Sequence, residues 1–167
     1  NIKYNNLYLV GNLPYYITTP IIEHIIDEKL EFSKFTIMIQ KEVAERFMAE
    51  AGTKDYGYIT LVLKYYFNIS KVCDVSKYAF NPVPKVESSV VSFVPREQKL
   101  AVDADGYFKF LKNAFRQKRK NLRNNLNGLY DLDIVLQVLN KYGLDLSVRA
   151  ESLSEEILVD IYKSVTR

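Results

Sequence analysis

Leu7-Tyr8-Leu9-Val10-Gly11-Asn12-Leu13-Pro14-Tyr15-Tyr16-Ile17-Thr18-Thr19-Pro20 is the stretch on which the fold turns. The apolar run from Leu7 to Gly11 predicts a strand, and Thr18-Thr19-Pro20 is a helix-start signal, with Thr19 able to cap and Pro20 at the first helical position. Asn12-Leu13-Pro14-Tyr15 therefore falls at the exit of a strand. In an open α/β sheet, ligands bind beyond the carboxyl ends of the strands, so an amide, a rigid proline and an aromatic ring there form a candidate site. An Asn carbonyl oxygen accepts hydrogen bonds from a planar amine, and a Tyr face stacks on a heterocycle, a combination that suits a nucleobase amine.

Downstream, Ile21, Ile22, Ile25 and Ile26 make one apolar stripe of a helix. Phe35 to Ile39 reads as a second strand, followed by a helix carrying Val43, Ala44, Phe47 and Met48 and ending near Gly52, which gives a β-α-β-α order. Residues 57–67 fit strand alternation, while Ile59, Val62, Leu63 and Tyr66 also follow helical spacing. Ile69 to Val75 and Ser89 to Val94 read as strands enclosing a Pro-rich loop, and Pro95-Arg96-Glu97-Gln98-Lys99 marks a domain boundary. From Asp103 the pattern is helical. Phe108, Leu111, Ala114 and Phe115 form one stripe, and Leu132, Val135, Leu136 and Leu139 form another. Ser152 and Glu155 have capping-box spacing before a last helix faced by Ile157, Leu158, Ile161 and Val165. The expected domains are 1–98 and 103–167, the second a small helical bundle.

The 167 residues are 48% hydrophobic and 26% charged, an ordinary balance for a globular chain with a core. The net charge of +3 is mild, but no acidic residue lies between Asp105 and Asp131, where Lys109, Lys112, Arg116, Lys118, Arg119, Lys120 and Arg123 all fall. Such a run is either a solvated helix face or a phosphate-binding surface, and the absence of any acid favours nucleic acid. The single Cys73 excludes an internal disulfide and reads as a small buried hydrophobe in a reducing compartment. No His/Cys cluster suggests a metal, and His24 lies on the polar flank of its helix. Glu42 and Arg46 are spaced as a helix-surface ion pair. Tyr65 and Tyr66 read as core or interface aromatics. No apolar run approaches a membrane span and no signal-peptide pattern is seen, so a cytoplasmic protein is expected.

Longer ordered stretches add to this: Asn12 to Pro20, Gln40 to Arg46, Tyr56-Gly57, Phe80-Asn81-Pro82-Val83-Pro84-Lys85-Val86-Glu87-Ser88, Phe115 to Lys120 and Arg149 to Leu153. In these the chain resembles the KsgA-type ribosomal RNA adenine dimethyltransferases. The resemblance implies the C-terminal part of a Rossmann-like class I methyltransferase sheet followed by a small all-helical domain, and it favours a helix over 57–67. It implies S-adenosylmethionine as cofactor without a metal, and dimethylation of two adjacent adenines of small-subunit rRNA within a pre-ribosomal subunit. Such a methyltransferase needs a Gly-rich turn, yet glycines stand only at 11, 52, 57, 106, 128 and 143, so no G-x-G occurs. An N-terminally truncated fragment is therefore expected, inactive alone and prone to self-association, with a monomer when full length.

On this reading, the Asn12 side chain and the Leu13 carbonyl accept the two amine protons, orienting the nitrogen and stabilising its developing positive charge. Pro14 stiffens the turn, and Tyr15 stacks on a purine splayed out of its RNA context. The resemblance places the Phe80 loop across the target base and Asn12 against the cofactor. Lys85 fits a phosphate contact and a solvated loop charge equally well. Arg116, Lys118, Arg119, Lys120 and Arg123 would position RNA through phosphates without reading its sequence. Two alternatives remain: a macrolide-resistance-type methyltransferase of large-subunit rRNA, against which Tyr56-Gly57 and Arg149-Ala150-Glu151 speak, and a noncatalytic rRNA-binding or assembly module.

Overall fold

The structure, a computed structural model, describes residues 5–28, 31–97 and 100–167. The chain divides into two compact units, Asn1–Met48 with Leu63–Lys99, and Ala49–Val62 with Leu100–Arg167. The tract 49–62 thus groups with the C-terminal helices, which a single boundary between residues 98 and 103 does not anticipate. Gln98 and Lys99, part of the expected boundary, lie outside the described residues.

The first unit is built on a four-stranded sheet of order β1-β2-β4-β3, from β1 (Tyr8–Asn12), β2 (Lys34–Gln40), β3 (Phe67–Val75) and β4 (Ser88–Pro95). β1 and β2 run parallel, which requires a crossover, and α1 (Thr18–Asp27) supplies it. β4 pairs antiparallel with both β2 and β3. Flanked on both sides, β4 buries Ser88, Ser89, Val91, Ser92 and Phe93, and the Phe93 ring meets Phe35, Phe47 and Phe67 at 5.6, 6.3 and 5.9 Å. The alternation of β2 puts Phe35, Ile37 and Ile39 into the same core. β3 is an edge strand with an irregularity between Lys71 and Cys73, and Cys73 is exposed, so the buried-hydrophobe reading of this residue is corrected. Lone cysteines are usually buried, but an edge strand has one face and one margin open to water.

The helix after the first strand starts earlier than Thr19-Pro20 implies. α1 has Ile17 in the capping position with no side-chain cap, and Thr18 is buried with its hydroxyl donating to the Tyr15 carbonyl at 3.4 Å. Ile22 and Ile25 are buried as the stripe predicts. α2 (Lys41–Phe47) buries Ala44 and Phe47 and ends before Gly52, whose φ of +88° belongs to the following turn. Glu42 and Arg46 pair at 3.4 Å on its exposed face. Residues 58–66 form a helix, α3 (Tyr58–Tyr66), as the spacing of Ile59, Val62, Leu63 and Tyr66 allows.

The second unit contains α4 (Ala104–Ala114), α5 (Leu122–Leu126), α6 (Leu132–Lys141) and α7 (Glu155–Val165). Its α4 stripe is rotated from the expected one: Tyr107, Phe110, Leu111 and Ala114 are buried, while Phe108 and Phe115 are half-exposed. The turn of the helix is fixed by an aromatic cluster, with Tyr162 lying 5.5 Å from Tyr107 and 5.8 Å from Phe110. α6 likewise buries Val138 with Val135 and Leu139, leaving Leu132 and Leu136 half-exposed. The last helix is capped by Ser154, whose hydroxyl accepts from the Ile157 amide, and not by Ser152. Ala150–Ser152 closes a 3-10 turn and Leu153 is fully buried, so the helix can start only two residues later.

Candidate functional site

Asn12 is the last residue of β1, paired across to Met38, and its side chain is exposed. A Cβ at Gly11 would stand 3.1 Å from the Leu13 Cδ2, tighter than ordinary contact, so a larger residue there would press on the turn's own leucine. Pro14 holds an extended conformation (φ −57°, ψ 131°) and Tyr15–Ile17 then closes a 3-10 turn, with the Ile17 amide donating to the Pro14 carbonyl at 3.1 Å. The Tyr15 hydroxyl is 2.8 Å from the hydroxyl of Ser88, which is fully buried at the start of β4. The phenol is thereby anchored at its tip while the ring stays half-exposed.

The second wall comes from the β3–β4 connection. Ser76 caps the 3-10 turn Lys77–Ala79 by accepting from the Tyr78 amide, and the Glu87 carboxylate accepts from the Lys77 amide at 2.9 Å. The turn delivers a half-exposed Phe80, after which the Asn81–Pro82 peptide is cis. Asn12, Leu13, Pro14 and Tyr15 together with Phe80, Asn81, Pro82 and Pro84 line one open groove of about 400 Å³. Lys85 is exposed and lies outside that lining. Glu87 and Ser88 support the groove without any signal of that role in the sequence, although both stand inside the quoted Phe80–Ser88 stretch. Among the described residues, no group of three or more His, Cys, Asp or Glu could hold a metal ion.

In the second unit, Arg116, Lys118, Arg119, Lys120 and Arg123 are all exposed and occupy the turn between α4 and α5 and the first residues of α5. The Lys118 ammonium donates to the Lys54 carbonyl, which ties this turn to the 49–62 tract of the same unit. Asn125, only 2% exposed, holds the turn together. Its Oδ1 accepts from the Gln117 amide at 3.2 Å, and its Nδ2 donates to the Ala114 and Gln117 carbonyls at 2.8 and 3.3 Å. α5 is tied down in turn by Leu122 and Arg123 amides donating to the Val148 and Leu146 carbonyls. Nothing in the sequence singles out Asn125 among its neighbours Asn121, Asn124 and Asn127.

Two smaller features complete the electrostatics of this unit. Asp103 caps α4 through the Gly106 amide at 2.7 Å and accepts from the Tyr162 hydroxyl at 2.6 Å. That phenol hydrogen bond, followed by the amide, holds the Asp103 carboxyl below the usual carboxylate range. Burial, then the neighbouring Asp103, pushes the Tyr162 phenol up to about 12. Tyr56, near Glu155 and Glu50, is raised chiefly by burial, and the Gly52 amide donates to the Glu151 carbonyl at 2.7 Å, so the tract containing Tyr56-Gly57 and that containing Arg149-Ala150-Glu151 belong to one unit.

The family model described as ribosomal RNA adenine dimethylase matches residues 2–167. A ribosomal RNA small subunit methyltransferase A of Chlorobium chlorochromatii is 39% identical over 95% of this chain, and one of Staphylococcus epidermidis is 37% identical over 95%. The chain spans 58% and 56% of the length of these relatives. The crystal structure of a dimethyladenosine transferase from Plasmodium falciparum superposes with a TM-score of 0.78 at 26% identity, covering 96% of this chain and 67% of that one. The 23S rRNA methyltransferase ErmE shares the fold, with a TM-score of 0.75 at 22% identity over 99% of this chain and 68% of its own. The sheet is that of the Rossmann-like rRNA methyltransferases, and the chain belongs to the ribosomal RNA adenine dimethylase family.

Proposed function

We propose that this chain serves the S-adenosylmethionine-dependent dimethylation of the exocyclic amines of two adjacent adenines in small-subunit rRNA during ribosome biogenesis. The observation that carries the reading is the single groove in which the Asn12-Leu13-Pro14-Tyr15 turn faces the Phe80-Asn81-Pro82 loop. The relatives' name, ribosomal RNA small subunit methyltransferase A, directs the choice of rRNA. We place the protein in the cytoplasm as a monomer when full length. Among the described residues no helix is long and apolar enough to cross a membrane.

The lone pair of an adenine amine is delocalised into the ring, so attack needs a geometry in which that pair is free. Oxygen acceptors on the two amine hydrogens impose it, and the Asn12 side chain and the Leu13 carbonyl are suited to the task. They also stabilise the positive charge that builds on nitrogen, after which the proton leaves to solvent. Tyr15 and Phe80 would hold the purine by its faces, such stacking contributing about 1–3 kcal/mol per base towards extracting it. The groove residues from 12 to 15 are uncharged and offer carbonyl oxygens, a set that fits a cationic sulfonium, with Asn12 against it. When bound, S-adenosylmethionine supplies the electrophilic methyl group. Arg116, Lys118, Arg119, Lys120 and Arg123 act together on phosphates, and Lys85 is assigned to the RNA backbone beside the groove.

The test is methyl transfer by the full-length protein to small ribosomal subunits lacking the modification, with the product nucleosides identified by mass spectrometry. Dimethyladenosine at two adjacent positions is expected. Methylation of large-subunit rRNA alone, or RNA binding without any methyl transfer, overturns the reading.

A further inference from the structure

We propose that Glu87 and Ser88 are positioning residues that set the two walls of the groove from a single strand end, an inference that rests on the reaction proposed above. Ser88 is the first residue of β4 and Glu87 immediately precedes it, and the two side chains hold different partners. Ser88, with no exposed surface, anchors the Tyr15 hydroxyl at 2.8 Å. Glu87 accepts from the amide of Lys77 at 2.9 Å, the first residue of the turn that delivers Phe80. The strand end that carries them is itself fixed. Ser88 is in register with Gln40 of β2, and the Glu87 carbonyl accepts from the Lys41 amide at 3.0 Å where α2 begins. The spacing between the Tyr15 and Phe80 walls is therefore set by the sheet and transmitted by two side-chain hydrogen bonds, while both residues stay half-exposed in the groove lining. A phenol tethered at its hydroxyl cannot swing bodily away from its wall of the groove, and misplacement of a reacting group by about 1 Å can cost as much as 100-fold in rate.

These contacts predict a pattern that a merely structural role would not produce. In the full-length protein, Tyr15→Phe and Ser88→Ala each remove the same bond from opposite ends. Each should lower kcat about tenfold with KM for RNA held within about twofold, and the double variant should be no slower than the slower single. Glu87→Ala should also lower kcat about tenfold, whereas Glu87→Gln, which keeps an acceptor oxygen for the Lys77 amide, should return it to within about twofold of the parent. An RNA carrying 2-aminopurine at the target adenine reports stacking without any chemistry, and its fluorescence change on binding should be lost in the same variants and kept in Glu87→Gln. Multiplying effects in the double variant, equal losses in Glu87→Ala and Glu87→Gln, or losses that follow the melting temperature alone overturn the proposal. If the parent protein transfers no methyl group, the proposed reaction fails, and the fluorescence pattern then decides the positioning role by itself.

Discussion

In the sheet unit the candidate groove consists of half-exposed rings and an amide, with Tyr15 held at its tip by a buried serine and Phe80 delivered by a capped turn. In the helical unit the basic turn presents exposed cations, and its shape depends on one buried amide, Asn125. On the function proposed above, the two solve different recognition problems. A flat, uncharged heterocycle is recognised by faces and edges, so its walls must be stiff and partly dry. Phosphates are recognised at longer range by charge, so the cations can stay solvated while the backbone beneath them is fixed. Damage to the first should therefore appear in turnover, and damage to the second in affinity and its salt dependence.

The sharpest way to break this contrast is Asn12→Ala. Loss of an acceptor aimed at developing charge should cut kcat by about 10²- to 10³-fold while RNA affinity changes by less than about twofold. A fall in RNA affinity of similar size, measured by filter binding, would mean that the groove supplies binding and not chemistry. Gly106→Ala is next. A Cβ at Gly106 would collide with the Tyr162 hydroxyl oxygen and stand 2.5 Å from an Asp103 oxygen, forcing apart the bond between these two side chains. Overpacking of this kind costs about 1–3 kcal/mol, to be read by denaturant unfolding of the helical unit.

Asn125→Ala leaves the Gln117 amide and the Ala114 carbonyl without their side-chain partner, a loss of about 1–3 kcal/mol in stability. RNA affinity should fall along with it, although no cation is removed. Arg119→Glu should leave folding intact and flatten the plot of log affinity against log salt by about 1 for each phosphate that is no longer neutralised. An unchanged salt slope would remove this residue from the RNA surface.

The smallest effect is in pH. Asp103 is depressed in the folded state, so its contribution is present above the ordinary carboxylate pKa and is lost as pH falls through the folded value. Tyr162 is raised from 10.0 to about 12, so its contribution is complete below pH 10 and disappears as pH rises towards about 12. Unfolding midpoints of Tyr162→Phe measured across the alkaline window should decline less than those of the parent, in which Tyr56 and Tyr142 are raised as well.

Much of the sheet unit was legible because strands and turns carry short-range signals. The run ending at Gly11, the alternation of Phe35, Ile37 and Ile39, and the prolines at 82 and 84 each dictate local backbone. The helical stripes were legible only to within a rotation. Tyr107 and Phe108 are adjacent aromatics, and choosing between them required Tyr162, more than fifty residues away, which no periodicity announces. The cap at Ser154 was masked by Ser152 for a related reason, since only the burial of Leu153 shows where the 3-10 turn ends and the helix begins. Ser88 and Asn125 were invisible as supports because their importance lies in partners 73 and 8–11 residues distant, and a serine or asparagine has the same face in every sequence. Cys73 misled because its burial depends on strand order, which places β3 at the sheet edge.

The most direct measurement is a crystal structure of the full-length protein with a short RNA carrying an unpaired adenine. The purine should lie between the rings of Tyr15 and Phe80, with its amino nitrogen about 3 Å from the Asn12 side-chain oxygen and the Leu13 carbonyl. A purine bound elsewhere, or one in the groove with its amino edge turned to solvent, would contradict the account.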